Sequence, residues 1–115
     1  MIEAPQRGEI YWVRLPAQPG DPKARPALIV SLDVRNRLAN DCMVVPLTTT
    51  LRISPMHVRM EKGEGGLQHP SMAKCEQLTT IDKALLLRGP FAGKVGERKM
   101  VEVEQAVMRA IGVVI

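Results

Sequence analysis

The chain has 115 residues, enough for one domain with a single core and too few for two. An apolar fraction of 45% argues against intrinsic disorder, and Tyr11, Trp12 and Phe91 are too few aromatics for a platform of several exposed base-stacking rings. A net charge of +4 favours an acidic partner, either nucleic acid or an acidic peptide.

Residues 8–15 are β-rich, with Ile10, Trp12 and Arg14 on one face and Tyr11, Val13 and Leu15 on the other. Pro16, Pro19, Gly20 and Pro22 then make an ordered loop. It leads to Lys23-Ala24-Arg25-Pro26-Ala27-Leu28-Ile29-Val30-Ser31, two cations followed by an apolar run. Pro26 has no N–H and biases Arg25 away from helix, so the segment predicts a buried strand with a charged entrance. A guanidinium pinned at a rigid strand start suits an anion, although Arg-Pro there also marks an ordinary strand start.

A polar connection through Asp33, Arg35, Asn36, Arg37 and Asn40 leads to a second β-branched strand over 42–47, ending in Thr48-Thr49-Thr50. Three hydroxyls there can serve phosphate oxygens or simply the strand and its turn. Residues 56–60 alternate, placing Met56, Val58 and Met60 inside and His57 and Arg59 toward solvent. Residues 63–66 predict a turn or flexible tip, and 71–77 a strand. In that strand Lys74 and Glu76 share a face, either as a surface ion pair or as proton donor and acceptor. Residues 81–87 fit a helical turn or a strand start, and 91–94 a last short strand.

Only the C-terminus reads as helix. From Gly96 onward Met100, Val103, Val107, Ala110 and Ile111 recur at helical spacing, and Gly112 closes it. Many short strands and one late helix predict a mainly β fold with a C-terminal helix, a small barrel, in a single domain spanning 1–115. Cys42 and Cys75 stand in no ligand spacing and read as two buried thiols. His57 and His69 pair with no Cys or Asp at a recognisable spacing, so no metal set and no cofactor is expected. With no leader pattern and no apolar run of membrane length, a cytoplasmic location is the expectation.

Four blocks, Arg7-Gly8-Glu9-Ile10-Tyr11-Trp12-Val13, Arg25 to Ser31, Val45-Pro46-Leu47-Thr48 and Glu76-Gln77-Leu78-Thr79-Thr80-Ile81-Asp82-Lys83, together closely resemble the MazF/PemK (Kid) toxin family over essentially the whole chain. The resemblance implies an SH3-like barrel, a homodimer, and a toxin–antitoxin endoribonuclease that cuts single-stranded RNA without metal. It implies catalytic roles for Arg25 and Thr48. In the Kid branch an arginine and an aspartate precede the glutamine, where this chain has Lys74 and Glu76; Glu76 then becomes the candidate base, and Lys74 the candidate acid or second cation. Lys23, Arg25, Thr49, Arg52 and Gln77 are the candidate RNA-binding residues, and an antitoxin with an acidic, partly disordered tail the expected competitor. The same fold hosts CcdB-like gyrase poisons without catalytic residues, and a catalytically silent antitoxin-binding homologue is the other alternative.

Overall fold

The structure is a computed structural model that describes residues 4–15 and 24–115. Lys23 and the preceding Pro/Gly loop lie outside the described residues. Seven strands form the scaffold: β1 (Ile10–Arg14), β2 (Ala24–Ile29), β3 (Asp41–Thr48), β4 (His57–Met60), β5 (Ser71–Lys74), β6 (Thr79–Asp82) and β7 (Leu86–Arg88). A short helix α1 (Asp33–Leu38) follows β2, and α2 (Glu97–Ala110) ends the fold. The strand order is β4-β5-β3-β2-β1-β7, with β6 paired to β3. Every pairing is antiparallel.

The mainly β character and the C-terminal helix are as the sequence predicts. Closure of the expected small barrel is not drawn by the hydrogen bonds. Among the described residues the ladder is open, with β4 at one end and β7 at the other.

Alternation along β1, β2 and β3 feeds two cores. Ile10, Leu28 and Val45 turn to one side, where Met100, Val103 and Ala106 of α2 cover them. Tyr11, Val13, Ala27, Ile29 and Val44 turn to the other, against Ile81 and Leu86. The helix therefore anchors on Met100, Val103 and Ala106, and not on Ala110 and Ile111; Ile111 is exposed.

Three local expectations change, and a fourth is narrowed. The polar connection after β2 holds α1, because buried Asn36 donates from Nδ2 to the Ser31 carbonyl at 3.1 Å while Ser31 Oγ accepts the Met43 N–H at 2.9 Å. Six residues are too few to display an apolar period. Residues 91–94 are no strand: Phe91 N–H bonds the Ile10 carbonyl and Val95 N–H the Gly8 carbonyl, but Pro90 has no donor and Gly93 turns at positive φ. The 71–77 strand stops at Lys74, and Cys75–Gln77 winds into a 3-10 turn against α2. Lys74 and Glu76 thus do not share a strand face. The 63–66 segment takes the turn of the two expected forms, and it is packed at Gly66 (φ +86), where a Cβ would lie 2.5 Å from Ala92 N.

Candidate functional site

The sheet splits at β3. Up to Pro46 this strand pairs with β2, through Ala27↔Pro46, Leu28↔Val45 and Ile29↔Val44. From Leu47 it pairs with β5 instead, through Leu47↔Ala73 and Thr48↔Met72. Pro26 and Pro46 flank the point of divergence, and neither can donate a hydrogen bond to continue the ladder. The opening between the two strands is a cleft of about 630 Å³.

Arg25 and Pro26 of β2 line one side of the cleft, and Leu47, Thr48 and Thr49 the other. Arg25 is exposed at the strand entrance, opposite Val13 of β1, and Pro26 stands opposite Trp12. Thr48 Oγ1 accepts the Thr50 N–H at 3.2 Å, which folds the threonine run into a turn at the cleft edge. The sequence thus brings Arg25, Thr48 and Thr49 to one place from two adjacent strands.

The remaining walls were not legible as site residues. Trp12 and Phe91 both line the cleft, their centroids 6.0 Å apart at 51°, and the Arg88 guanidinium carbon lies 5.6 Å from the Trp12 ring centroid. Two of the three aromatics therefore gather at the cleft, despite the low aromatic count. Gln68 and His69, on the loop that leads into β5, and Ser71, the first residue of β5, close the far side. Ser71 Oγ donates to the His69 carbonyl at 3.1 Å, and Pro70 narrows the backbone choices of His69. Their only signal in the sequence is position: a polar loop tip between two strands, beside a glycine turn.

Arg52, Lys74, Glu76 and Gln77 do not line this cleft. Lys74 lies one diagonal step from Thr48 across the β3–β5 pair. Glu76 is engaged elsewhere: its Oε2 lies 2.9 Å from His57 Nε2, while His57 Nδ1 lies 3.0 Å from the Arg52 carbonyl. The His57 side chain is only 7% exposed, so it is not the solvent-facing residue the alternation predicts. Behind it, burial pushes the Cys75 thiol up to about 12, helped by the Glu76 charge and opposed by Arg109. Burial also raises the Cys42 thiol, and both cysteines are free.

Among the described residues, no three His, Cys, Asp or Glu side chains come together in a way that could hold a metal ion. No helix among them is long and apolar enough to cross a membrane.

A sequence profile of the PemK-like, MazF-like toxins of type II toxin–antitoxin systems matches residues 6–111. The chain belongs to this family. It is 29% identical over 85 residues to endoribonuclease EndoA of Bacillus subtilis, covering 70% of this chain and 73% of that protein. A solved endoribonuclease from a mycobacterial species superposes with a TM-score of 0.77 at 32% identity, covering 97% of this chain and 95% of its own. A mycobacterial endoribonuclease in complex with its cognate antitoxin gives 0.79, again at 32% identity, with 97% and 99% covered. The MazF-like fold, with its late helix over a mainly β sheet, is therefore shared along nearly the whole chain.

Proposed function

We propose that this chain is the toxin of a type II toxin–antitoxin pair and cuts single-stranded RNA at short sequences, within the SH3-like frame of its relatives. The observation that carries the reading is the convergence of Arg25 and Thr48, from β2 and β3, on one open cleft. The 2′-oxygen attacks the adjacent phosphorus and the 5′-oxygen leaves, giving a 2′,3′-cyclic phosphate and a 5′-hydroxyl. Negative charge gathers on the non-bridging oxygens, where a planar guanidinium can hold two at once. Arg25 fills that role, and the Thr48 hydroxyl donates to one of these oxygens. DNA lacks the nucleophile and is left intact.

Lys74, close to Thr48, supplies further positive charge to the RNA backbone. Arg52, Thr49 and Gln77, all exposed, meet nucleotides beyond the scissile bond. The net charge of +4 supports such a backbone-driven grip. The partner in the cell is an antitoxin whose acidic tail competes for the same surface, and the working unit is a cytoplasmic homodimer.

The test is direct. Purified protein is incubated with a long RNA in EDTA and the new ends are mapped. Cleavage at a recurring short sequence, with cyclic phosphate and 5′-hydroxyl ends, is expected. Intact RNA, or activity lost in EDTA and restored by Mg²⁺, overturns the mechanism.

A further inference from the structure

Transesterification moves two protons, and the cleft holds few groups that can carry one. Among its described lining residues there is no carboxylate and no lysine. Arginine is a poor proton donor as a side-chain type, and threonine, serine and tryptophan are no better. Among the described lining residues His69 carries the one imidazole, the side-chain type most used as a general acid or base. Glu76, the candidate base by resemblance to the family, lies off the cleft, its Oε2 engaged by His57.

We infer that His69 is a catalytic residue of this chain, the general acid that protonates the departing 5′-oxygen. This rests on the nuclease reading above. The 5′-alkoxide is the more basic of the two oxygens, so an acid there lowers the barrier more than a base at the 2′-hydroxyl does. The new bond joins the 2′-oxygen to phosphorus, and the phosphorus–O5′ bond breaks. The imidazolium of His69 gives its proton to O5′, water takes the 2′-hydroxyl proton, and the neutral imidazole regains a proton from solvent. The placement suits the role. Pro70 restricts the His69 backbone, Leu67 is buried in the main core, and Gly66 packs against Ala92, so the loop presents the ring from a fixed base.

The experiment compares a normal short RNA with one whose scissile 5′-oxygen is replaced by sulfur, a leaving group that needs no protonation. His69→Gln is expected to cut the normal RNA about 100- to 10,000-fold more slowly than wild type. On the sulfur substrate it should come within a few fold of wild type. His69→Asn serves as the second variant, and melting temperatures check that both fold. Wild type alone gives an independent reading. With Arg25 and Arg88 as the charged groups sharing the cleft, any fall of its rate with rising pH should be confined to the normal RNA and absent on the sulfur RNA. Equal slowing of a folded His69 variant on both substrates, or no slowing on either, overturns the assignment. So does sulfur rescue of Lys74→Met in place of His69→Gln. A wild type inert on both RNAs instead removes the nuclease reading itself.

Discussion

His57 and Glu76 are joined by a 2.9 Å contact between Nε2 and Oε2, and the same imidazole reaches the Arg52 carbonyl through Nδ1 at 3.0 Å. A carbonyl can only accept, so Nδ1 carries the hydrogen there. One side chain on β4 thereby fastens both the loop after Thr48 and the turn after β5. Lys74 is its cross-strand partner, and Arg109 of α2 donates to the neighbouring Pro55 carbonyl at 2.8 Å. The loop that follows the threonine run is held from two directions.

His57→Ala should therefore destabilise the fold by about 1–2 kcal/mol, the cost of two hydrogen bonds at a nearly buried side chain. Glu76→Gln should cost less, since Glu76 is partly exposed. A thermal melt of each single variant and of the double variant checks this. Effects that simply add would show that the pair is not coupled.

The Cys75 thiol gives a prediction on the alkaline side. Its pKa is raised from 9.0 in a free thiol to about 12 in the fold, chiefly by burial. The unfolded chain loses this proton above pH 9 while the folded one keeps it, so stability falls as pH rises from 9 toward 12. The slope from this one group approaches about 1.4 kcal/mol per pH unit. Cys75→Ala should lose stability less steeply over pH 9–10.5 in urea titrations. Parallel curves for the two proteins would contradict the shift. In the native protein both cysteines should resist thiol reagents at neutral pH.

What the sequence made legible follows from length and period. Strands β1 to β4 declare themselves through β-branched runs and alternation, and α2 through a stripe of three full turns. Arg25 and Thr48 stood out as polar residues at the ends of apolar runs, Arg25 just before Pro26 and Thr48 two residues after Pro46. The family resemblance gave them their expected roles. The switch of β3 from β2 to β5, which opens the cleft, was not legible. No residue pattern says which neighbour a strand chooses after a proline. His57 was misplaced for a related reason. Alternation assigns it to the outer face, but there it meets Glu76 of the 3-10 turn at Cys75–Gln77, which packs against α2. Lys74 and Glu76 were set side by side by a two-residue rule that holds only while a strand lasts. His69 had no periodicity to betray it, since its place in the cleft depends on the backbone of Gly66 and Ala92 touching.

Assembly is the next expectation. Leu32, Val34 and Leu38 around α1, and Ile111, Val114 and Ile115 after α2, are large apolar side chains with at least 49% of their surface exposed. A single chain of this size leaves them in water at a cost that a second copy would offset. A two-fold homodimer is expected by sedimentation at micromolar concentration. Leu38→Glu and Ile111→Glu are the variants to test for weakened association, and a monomeric wild-type mass would count against the proposal.

The final prediction separates an enzyme from a binder. If Arg25 holds the non-bridging oxygens as charge accumulates, its loss is felt most in the transition state. Arg25→Ala should slow single-turnover cleavage by about two to four orders of magnitude, as does the loss of a strong oxyanion donor. Arg25→Lys should regain only part, because an ammonium is a point charge without the planar fork. Thr48→Ala removes one neutral hydroxyl and should cost roughly one to two orders. RNA affinity should change far less in each case, since cations spread over the surface carry the backbone attraction. A purely structural Arg25, at the mouth of β2 opposite Val13, would instead show its loss in the melting temperature. Measuring both on one preparation decides the matter. A well-folded Arg25→Ala protein that cuts RNA at the wild-type rate would end the catalytic role of this arginine.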